Sequence, residues 1–153
     1  MLKILLHFAY HIRKLTWRVT KPLTVGVRLL LVREQSVLLV KHTYQEKWFL
    51  PGGGIKKGET AKEAGRREAQ EEVGAELSEL TLFGVYANFY QHKSDHIVVL
   101  FCDDFTLTGK TDWEIERFNF FPLDDLPPDV SPGCLHRILE YAAGQESAQA
   151  GVW

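Results

Sequence analysis

The chain has little cysteine and no long apolar run, and each shortage excludes a class of protein. Its 153 residues include only two cysteines, Cys102 and Cys134, which follow neither a CxxC nor a zinc-finger spacing. We therefore expect reduced thiols rather than a disulfide framework or a zinc site. No stretch approaches the roughly 20 apolar residues that a membrane-spanning helix needs. These shortages favour a cytoplasmic location.

A strong excess of charge of one sign is also lacking. The chain carries 18 basic and 20 acidic residues, for a net charge of -2. This balance does not predict DNA or RNA as the main partner. Apolar residues make up 45% of the chain and charged residues 25%, which is typical of a folded domain and excludes a disordered chain. A chain of this length is expected to form one core.

Residues 1–21 differ from the rest because they hold five basic residues and no acidic one. Leu5, Phe8, Ile12 and Leu15 recur at the spacing of one helical face. Two histidines interrupt the apolar run and no small-residue cleavage site follows, so a secretion signal is not expected. We predict a basic amphipathic segment that is buried against the protein's own sheet or a partner subunit of a homodimer. Weak contact with a membrane surface is the alternative.

The hydrophobic pattern predicts strands and two helices. Glu34-Gln35 is expected to form a tight hairpin connection between the first two strands. Thr60 and Glu63 make a capping box and Gly74 stands where a helix should end, which predicts a helix over residues 60–72. A last helix is predicted from Ser131, and residues 144–153 show no pattern and are expected to be loose. This order indicates a mixed sheet with helices on its faces. The predicted strands cover residues 24–32, 36–41, 48–50, 80–90, 96–105 and 118–123.

Three glutamates of the first predicted helix are candidate ligands of a metal ion. Glu68, Glu71 and Glu72 are spaced i, i+3, i+4 and lie within about a third of the helix circumference. Their mutual repulsion would be offset by a hard divalent cation, which prefers oxygen ligands. The alternative is a solvated acidic face beside Arg66 and Arg67.

A glycine-rich loop precedes this helix. Gly52, Gly53 and Gly54 allow the backbone to approach a neighbour closely. The loop is neither a Walker A motif, because Glu59-Thr60 replaces the lysine and hydroxyl residue, nor a GxGxxG dinucleotide loop. A glycine loop that lacks the phosphate lysine but leads into a carboxylate-lined helix suggests phosphate handling through a metal.

Together, Gly53, Glu59 and the run Arg67–Ala75 resemble the Nudix box, with every charged residue and glycine of that signature at its spacing. The departures are Ala69 and Ala75, where the family usually has larger aliphatic residues. The resemblance implies an α/β/α sandwich with a mixed sheet over residues 22–143. It also implies a Nudix hydrolase that cleaves a phosphoanhydride bond in a nucleoside diphosphate linked to another moiety, with Mg²⁺ or Mn²⁺ as cofactor. The implied metal ligands are Glu68, Glu71, Glu72 and the carbonyl of Gly52, and the implied catalytic set adds Arg67 and Glu59, which orient these carboxylates.

The residues that accept the water's proton and bind the substrate are less closely specified. The general base is either a box glutamate or an acid on a later loop, for which Glu114 fits better than Glu116. Lys41 and Lys56 flank the glycine loop and could bind phosphate, while Tyr90 stands near a position that marks some Nudix subfamilies. The alternative function is a catalytically weak nucleotide-binding or membrane-recruited module with the Nudix fold, which the intact box disfavours. The substrate itself stays open among nucleotide-type molecules.

Overall fold

The computed structural model describes residues 23–90, 93–109 and 111–153, which form a mixed β-sheet between two helices. Neither helix of these residues is long and apolar enough to cross a bilayer. The basic segment 1–21 and residues 91–92 of the predicted turn lie outside the described residues. The strands are β1 (Leu23–Arg33), β2 (Ser36–His42), β3 (Trp48–Phe49), β4 (Ala75–Leu77), β5 (Thr81–Tyr90), β6 (Lys93–Cys102), β7 (Phe105–Leu107), β8 (Ile115–Pro122) and β9 (Gln149–Val152), and the helices are α1 (Ala61–Val73) and α2 (Pro132–Ala142).

Strand β1 lies near the centre of the main sheet. It pairs in parallel with β6 and forms an antiparallel hairpin with β2. Beyond β6 come β5, antiparallel to it, and β9, parallel to β5. On the other side, β2 also pairs with β3 and β8, and β4 and β7 form a separate two-stranded sheet. The predicted mixed sheet is confirmed.

The hairpin between β1 and β2 turns at Glu34 and Gln35, as predicted. Both residues have left-handed backbone angles, with φ of 49° and 59°. A two-residue hairpin turn of this kind matches the right-handed twist of the strands it joins. The turn thereby aligns Arg33 with Ser36.

Helix α1 has the ends that the sequence predicts. The Thr60 side chain accepts a hydrogen bond from the Glu63 N–H, and the Glu63 carboxylate accepts one from the Thr60 N–H. At the other end Gly74 adopts a left-handed conformation with φ of 61°. Gly65 lets the helix approach the sheet closely, because a Cβ there would lie 3.1 Å from Leu29 Cδ2.

Apolar side chains form one cluster on each face of the sheet. The α1 side buries residues such as Leu29, Leu38 and Val73. The α2 side buries residues such as Leu30, Leu39 and Ile138. This alternation along β1 and β2 is what fixes which face each later side chain occupies.

The C-terminal residues correct one expectation. Residues 144–153 were expected to be loose, but Gln149–Val152 form β9 on the edge of the sheet. The Trp153 indole lies directly against Gly133 of α2, and the Arg137 guanidinium donates to the Val152 carbonyl. These are contacts between distant parts of the chain, so a local pattern does not reveal them.

Other element boundaries also differ from the prediction. Strand β6 begins at Lys93 rather than residue 96, and Phe105–Leu107 leave the main sheet to pair with β4. In α2, Leu139 is 49% exposed. The helix instead buries Cys134, Arg137 and Ile138.

Candidate functional site

The glycine-rich loop runs alongside the free edge of β1. Gly26 and Gly54 form an isolated antiparallel bridge. This bridge fixes the loop to the sheet on which α1 packs, so the glycines of the loop are held beside the carboxylates of α1. Three backbone hydrogen bonds continue this pairing: from the Leu29 N–H to the Pro51 carbonyl (2.8 Å), from the Val27 N–H to the Gly53 carbonyl (2.9 Å) and from the Ile55 N–H to the Val25 carbonyl (3.1 Å).

Glu72 is a buried carboxylate, with 5% of its surface exposed. Its Oε2 atom accepts a hydrogen bond from the backbone N–H of Gly52 at 2.8 Å. Burial raises the pKa of Glu72 to about 8, although the Arg28 guanidinium and the Gly52 N–H act in the opposite direction. The neighbouring carboxylates of Glu68 and Asp112 raise this pKa further. Without a cation, the ionised form of Glu72 is therefore destabilised at pH 7, and a positive charge beside it would favour that form.

Glu68 contacts the same loop one residue further on. A Cβ at position 53 would lie 2.6 Å from Glu68 Oε1, so a larger residue there would displace the carboxylate that Arg67 binds. The glycine of the motif is thus explained by the side chain that packs on it. Glu68 and Glu72, one turn apart on α1, face Gly53 and Gly52 respectively.

The Arg67 guanidinium joins the loop to the other carboxylates. It forms a bidentate pair with Glu59, with Nε to Oε1 at 2.7 Å and Nη2 to Oε2 at 3.0 Å. Its Nη1 atom donates to Glu68 at 2.7 Å and to Glu71 at 3.1 Å. Nη2 also donates to the Gly54 carbonyl at 3.1 Å. One cation therefore positions three carboxylates and the loop backbone.

Glu59 stays ionised as the partner of Arg67. The hydrogen bonds from the Arg67 guanidinium and then from the Lys56 N–H lower the pKa of Glu59 to about 2. The Arg67 pKa is raised in turn, chiefly by the hydrogen bond to Glu59. The predicted orienting pair is thus assembled, while its functional role stays a prediction.

The loop before β8 reaches the C-terminal part of α1. The Asp112 N–H donates to the Glu71 carbonyl at 3.0 Å, and Asp112 Oδ1 accepts from the Glu114 N–H at 3.0 Å. The Thr43 N–H in turn donates to the Glu114 carbonyl at 2.9 Å. The structure thus brings the backbone of the predicted base to the site, whereas Glu116 is an exposed residue of β8. The sequence analysis did not identify Asp112, which joins this loop to α1.

Arg28 is a second residue that the sequence reasoning missed. Its Nη1 atom donates to the Gly52 carbonyl at 2.5 Å and to the Leu50 carbonyl at 3.2 Å. The Gly52 carbonyl, predicted as a metal ligand, therefore has a guanidinium partner in this structure. A charged residue within the apolar run of β1 was the available signal.

His42, the last residue of β2, is buried and is influenced by the charge of Arg28. Burial, followed by the charge of Arg28, lowers the pKa of His42 to about 4, so the ring is neutral at pH 7. Among the described residues its Nδ1 atom has no hydrogen-bond partner. The rings of Tyr44 and Phe49 lie 5.3 Å and 5.7 Å from it.

The NUDIX domain model matches residues 21–140 of the chain. The chain belongs to the Nudix family. It is similar to a protein named putative ADP-ribose pyrophosphatase YjhB from Bacillus subtilis, at 32% identity over 69% of this chain and 53% of that protein. It is also similar to an ADP-ribose pyrophosphatase from Methanocaldococcus jannaschii, at 30% identity over 67% of this chain and 64% of that protein.

The Nudix fold is also found in solved structures. The MutT NUDIX hydrolase from Burkholderia pseudomallei has a TM-score of 0.70 and 25% identity, covering 82% of this chain and 99% of that one. The predicted α/β/α sandwich is thereby confirmed. This chain spans about half the length of the Bacillus relative and just under two thirds of that of the Methanocaldococcus relative.

The carboxylates of the Nudix box suit a hard cation by their chemistry. They supply only oxygen donors, and buried Glu72 has a raised pKa that an adjacent cation would offset. Within the described part of the chain, however, no three acidic, histidine or cysteine side chains converge as a metal-binding group. Arg67 donates to both Glu68 and Glu71, and Glu68 lies against Gly53, next to the Gly52 N–H that Glu72 accepts from.

The predicted substrate-binding residues are not brought together. Lys41 pairs with Asp129 at 3.1 Å and lies over the Trp48 ring, among residues on the α2 side of the sheet. It therefore lies apart from the box carboxylates, which belong to the α1 side. Lys56 is exposed, and its N–H donates to Glu59. Tyr90 ends β5, and its side chain lies outside what the structure describes.

Proposed function

We propose that the protein is a divalent-metal-dependent hydrolase of a phosphoanhydride bond in a nucleoside diphosphate derivative. The observation that carries this proposal is Glu72, a buried carboxylate fixed to the glycine loop by the Gly52 N–H. Burying a carboxyl group beside further carboxylates raises its pKa and costs stability at neutral pH. A site that binds a cation gives this arrangement a purpose.

Glu68, Glu71 and Glu72 would hold the cation, with Mg²⁺ or Mn²⁺ as the expected ion. When bound, it neutralises phosphate charge and lowers the pKa of a water molecule. The chain's own contribution is to hold these carboxylates in place. Arg67 and Glu59 position Glu68 and Glu71 through the bidentate pair, and Gly52 positions Glu72.

The proton of the attacking water needs an acceptor on the protein. Glu114 is our choice, because its loop is held beside α1 by the Asp112 backbone bond to Glu71. A carboxylate in this position can act as a general base when the water lies within hydrogen-bond reach. If Glu114 lacks this role, a box glutamate takes it.

The names of the relatives support the substrate class. They include ADP-ribose pyrophosphatases, RNA pyrophosphohydrolases and a putative 8-oxo-dGTP diphosphatase. Substrates named in this way share a nucleotide and a phosphoanhydride bond. We therefore propose a nucleotide-type substrate for this chain and leave its second moiety open.

The test is a substrate screen with purified protein. ADP-ribose, nucleoside diphosphate sugars, dinucleoside polyphosphates, 8-oxo-dGTP and 5′-triphosphate RNA would each be incubated with Mg²⁺ or Mn²⁺. Products would be resolved by chromatography, and Glu72→Gln protein prepared in parallel would report contaminating activity. We expect at least one substrate to be cleaved by the wild type and not by the variant. Equal rates for both proteins, or no cleavage of any substrate, would contradict the proposal.

A further inference from the structure

Exposed apolar side chains concentrate on one part of the sheet. Leu23 and Val25 of β1 are 71% and 45% exposed, Phe89 of β5 is 71% exposed and Val152 of β9 is 68% exposed. They are four of the seven large apolar side chains that are exposed within the described part of the chain. We call the surface formed by these four residues the open face.

Strand pairing places all four on the same side of the sheet. Directly paired residues of neighbouring strands point to the same face. The open face therefore extends across four strands without an acidic or basic side chain other than His96 in its rows. Two rows of paired residues make it up: Leu23–Ser94–Phe89, and Val25–His96–Ala87–Val152.

This side of the sheet is the one that α1 covers further along. Val25 alternates in step with Val27 and Leu29, and Leu29 packs under Gly65 of α1. The helix thus buries one half of the sheet face and leaves the open face beside it. An apolar surface of this kind is an association liability unless something covers it.

The chain itself supplies a suitable cover. Residues 1–22 join the described chain at Leu23, which is one corner of the open face. Leu5, Phe8, Ile12 and Leu15 can share one face of a helix. A helix over residues 2–17 would be about 24 Å long, while four strands span about 14 Å. The five residues 18–22 can extend about 17 Å, which is enough to turn the chain back over the sheet.

We propose that residues 1–22 cover the open face, with their apolar side chains packed on it and their basic residues turned outward. The covalent tether favours this occupant over a second copy, because it gives the segment an effective concentration in the millimolar range. Outward placement also suits the charges, since the two rows contain no Asp or Glu with which five basic residues could pair.

A double-mutant cycle in the full-length chain tests this packing. Phe89→Ser changes the open face, Phe8→Ser changes the segment, and the double variant combines them. Each single change should lower Tm by at least about 4 °C, because it removes a packed aromatic ring. The double variant should lose clearly less than the sum, because both changes remove the same contact. Each single change should also increase the fluorescence of an apolar dye such as ANS.

Leu139→Ser is the matched control, because Leu139 is also exposed but lies on α2, on the other side of the sheet. It should change Tm by no more than about 1–2 °C. If Phe89→Ser behaves like this control, or if the two serine changes are additive, the proposal is wrong.

Light scattering and liposome sedimentation test the other two occupants of the open face, a second copy of the chain and a lipid surface. A smaller particle mass for Phe89→Ser assigns the open face to a second copy, and loss of vesicle binding with unchanged Tm assigns it to lipid; either result overturns the proposal.

Discussion

The carboxylate of Glu72 accepts a hydrogen bond from the backbone N–H of Gly52, and this contact joins the Nudix helix to the glycine loop. An N–H group can donate to an amide oxygen as well as to a carboxylate oxygen, and the bond to the charged acceptor is the stronger of the two. The charge of Glu72 can therefore be removed while its hydrogen bond is retained, which separates its electrostatic role from its structural one.

Glu72→Gln should reduce turnover by several orders of magnitude, because a neutral amide is a poor ligand for a hard cation. The fold should persist, and the metal-free protein should unfold at the same or a higher temperature. At pH 7 the buried carboxyl of Glu72 costs stability, because it must take up a proton or stay charged without water, and glutamine avoids both. Steady-state kinetics and thermal unfolding in EDTA measure the two effects. Glu76→Gln, at an exposed position of β4, is the control. Near wild-type turnover for Glu72→Gln would remove this residue from the site.

Excess EDTA should abolish hydrolysis, and added Mg²⁺ or Mn²⁺ should restore it. The physical reason is that the box carboxylates repel one another and the substrate phosphates unless a cation lies between them. Ca²⁺ at the same concentration is a useful comparison, because it binds oxygen with longer and less regular geometry. Full activity in EDTA would disprove metal dependence.

Arg67→Lys should lower activity about 10- to 100-fold, because lysine cannot reproduce the bidentate pair with Glu59. Glu59→Gln should have a similar effect. The double variant should be little worse than either single variant, since both act through one contact. The apparent affinity for Mg²⁺, measured from activity at varied metal concentration, should weaken in parallel. Independent, multiplicative losses would show that the two residues act separately.

Glu114→Gln should slow the chemical step about 10²- to 10⁴-fold if this residue is the general base. The neighbouring Glu116→Gln, at an exposed position of β8, should stay close to wild type. Single-turnover kinetics distinguish a slower chemical step from slower product release. An unchanged rate for Glu114→Gln would return the role of base to a box glutamate.

The buried ring of His42 predicts how stability depends on pH. Burial and Arg28 lower its pKa to about 4, from an ordinary value of 6.5. Between these values the unfolded chain binds a proton that the folded chain does not, so stability from this residue is lost as pH falls through that window. Denaturant unfolding at pH 7 and pH 5 should show a smaller difference for His42→Gln than for the wild type. An identical pH dependence would contradict the inference.

The parts of the fold that sequence predicts well are those with local causes. Thr60, Glu63 and Gly74 set the ends of α1 through their own hydrogen bonds and backbone angles, and Glu34-Gln35 sets the first hairpin. The β9 strand instead has partners far away in the chain: it pairs with β5, and the Arg137 guanidinium, 3.7 Å from the Tyr86 ring centroid, donates to the Val152 carbonyl. Such distant contacts leave no periodic signal.

The candidate site divides in the same way. The box residues were found because their spacing along one helix already places them together. In the sequence, Arg28 is a single charged residue within an apolar strand, and nothing nearby in the chain indicates its partner. It meets the Gly52 carbonyl only because the glycine loop folds back beside β1. The side of the sheet on which Lys41 lies follows from strand alternation, since Val37 and Leu39 of the same alternation also face α2. Its role in binding substrate stays a prediction.

The pairing of the glycine loop with β1 has a consequence for motion. Because Val27, Leu29 and Ile55 commit their amides to this pairing, their hydrogens should exchange with solvent as slowly as those of the central strands. The loop should then stay in place on the microsecond to millisecond timescale, on which catalytic loops close. Substitutions that change substrate preference should accordingly lie elsewhere around the site. Substitutions within the loop should mainly weaken its pairing with β1.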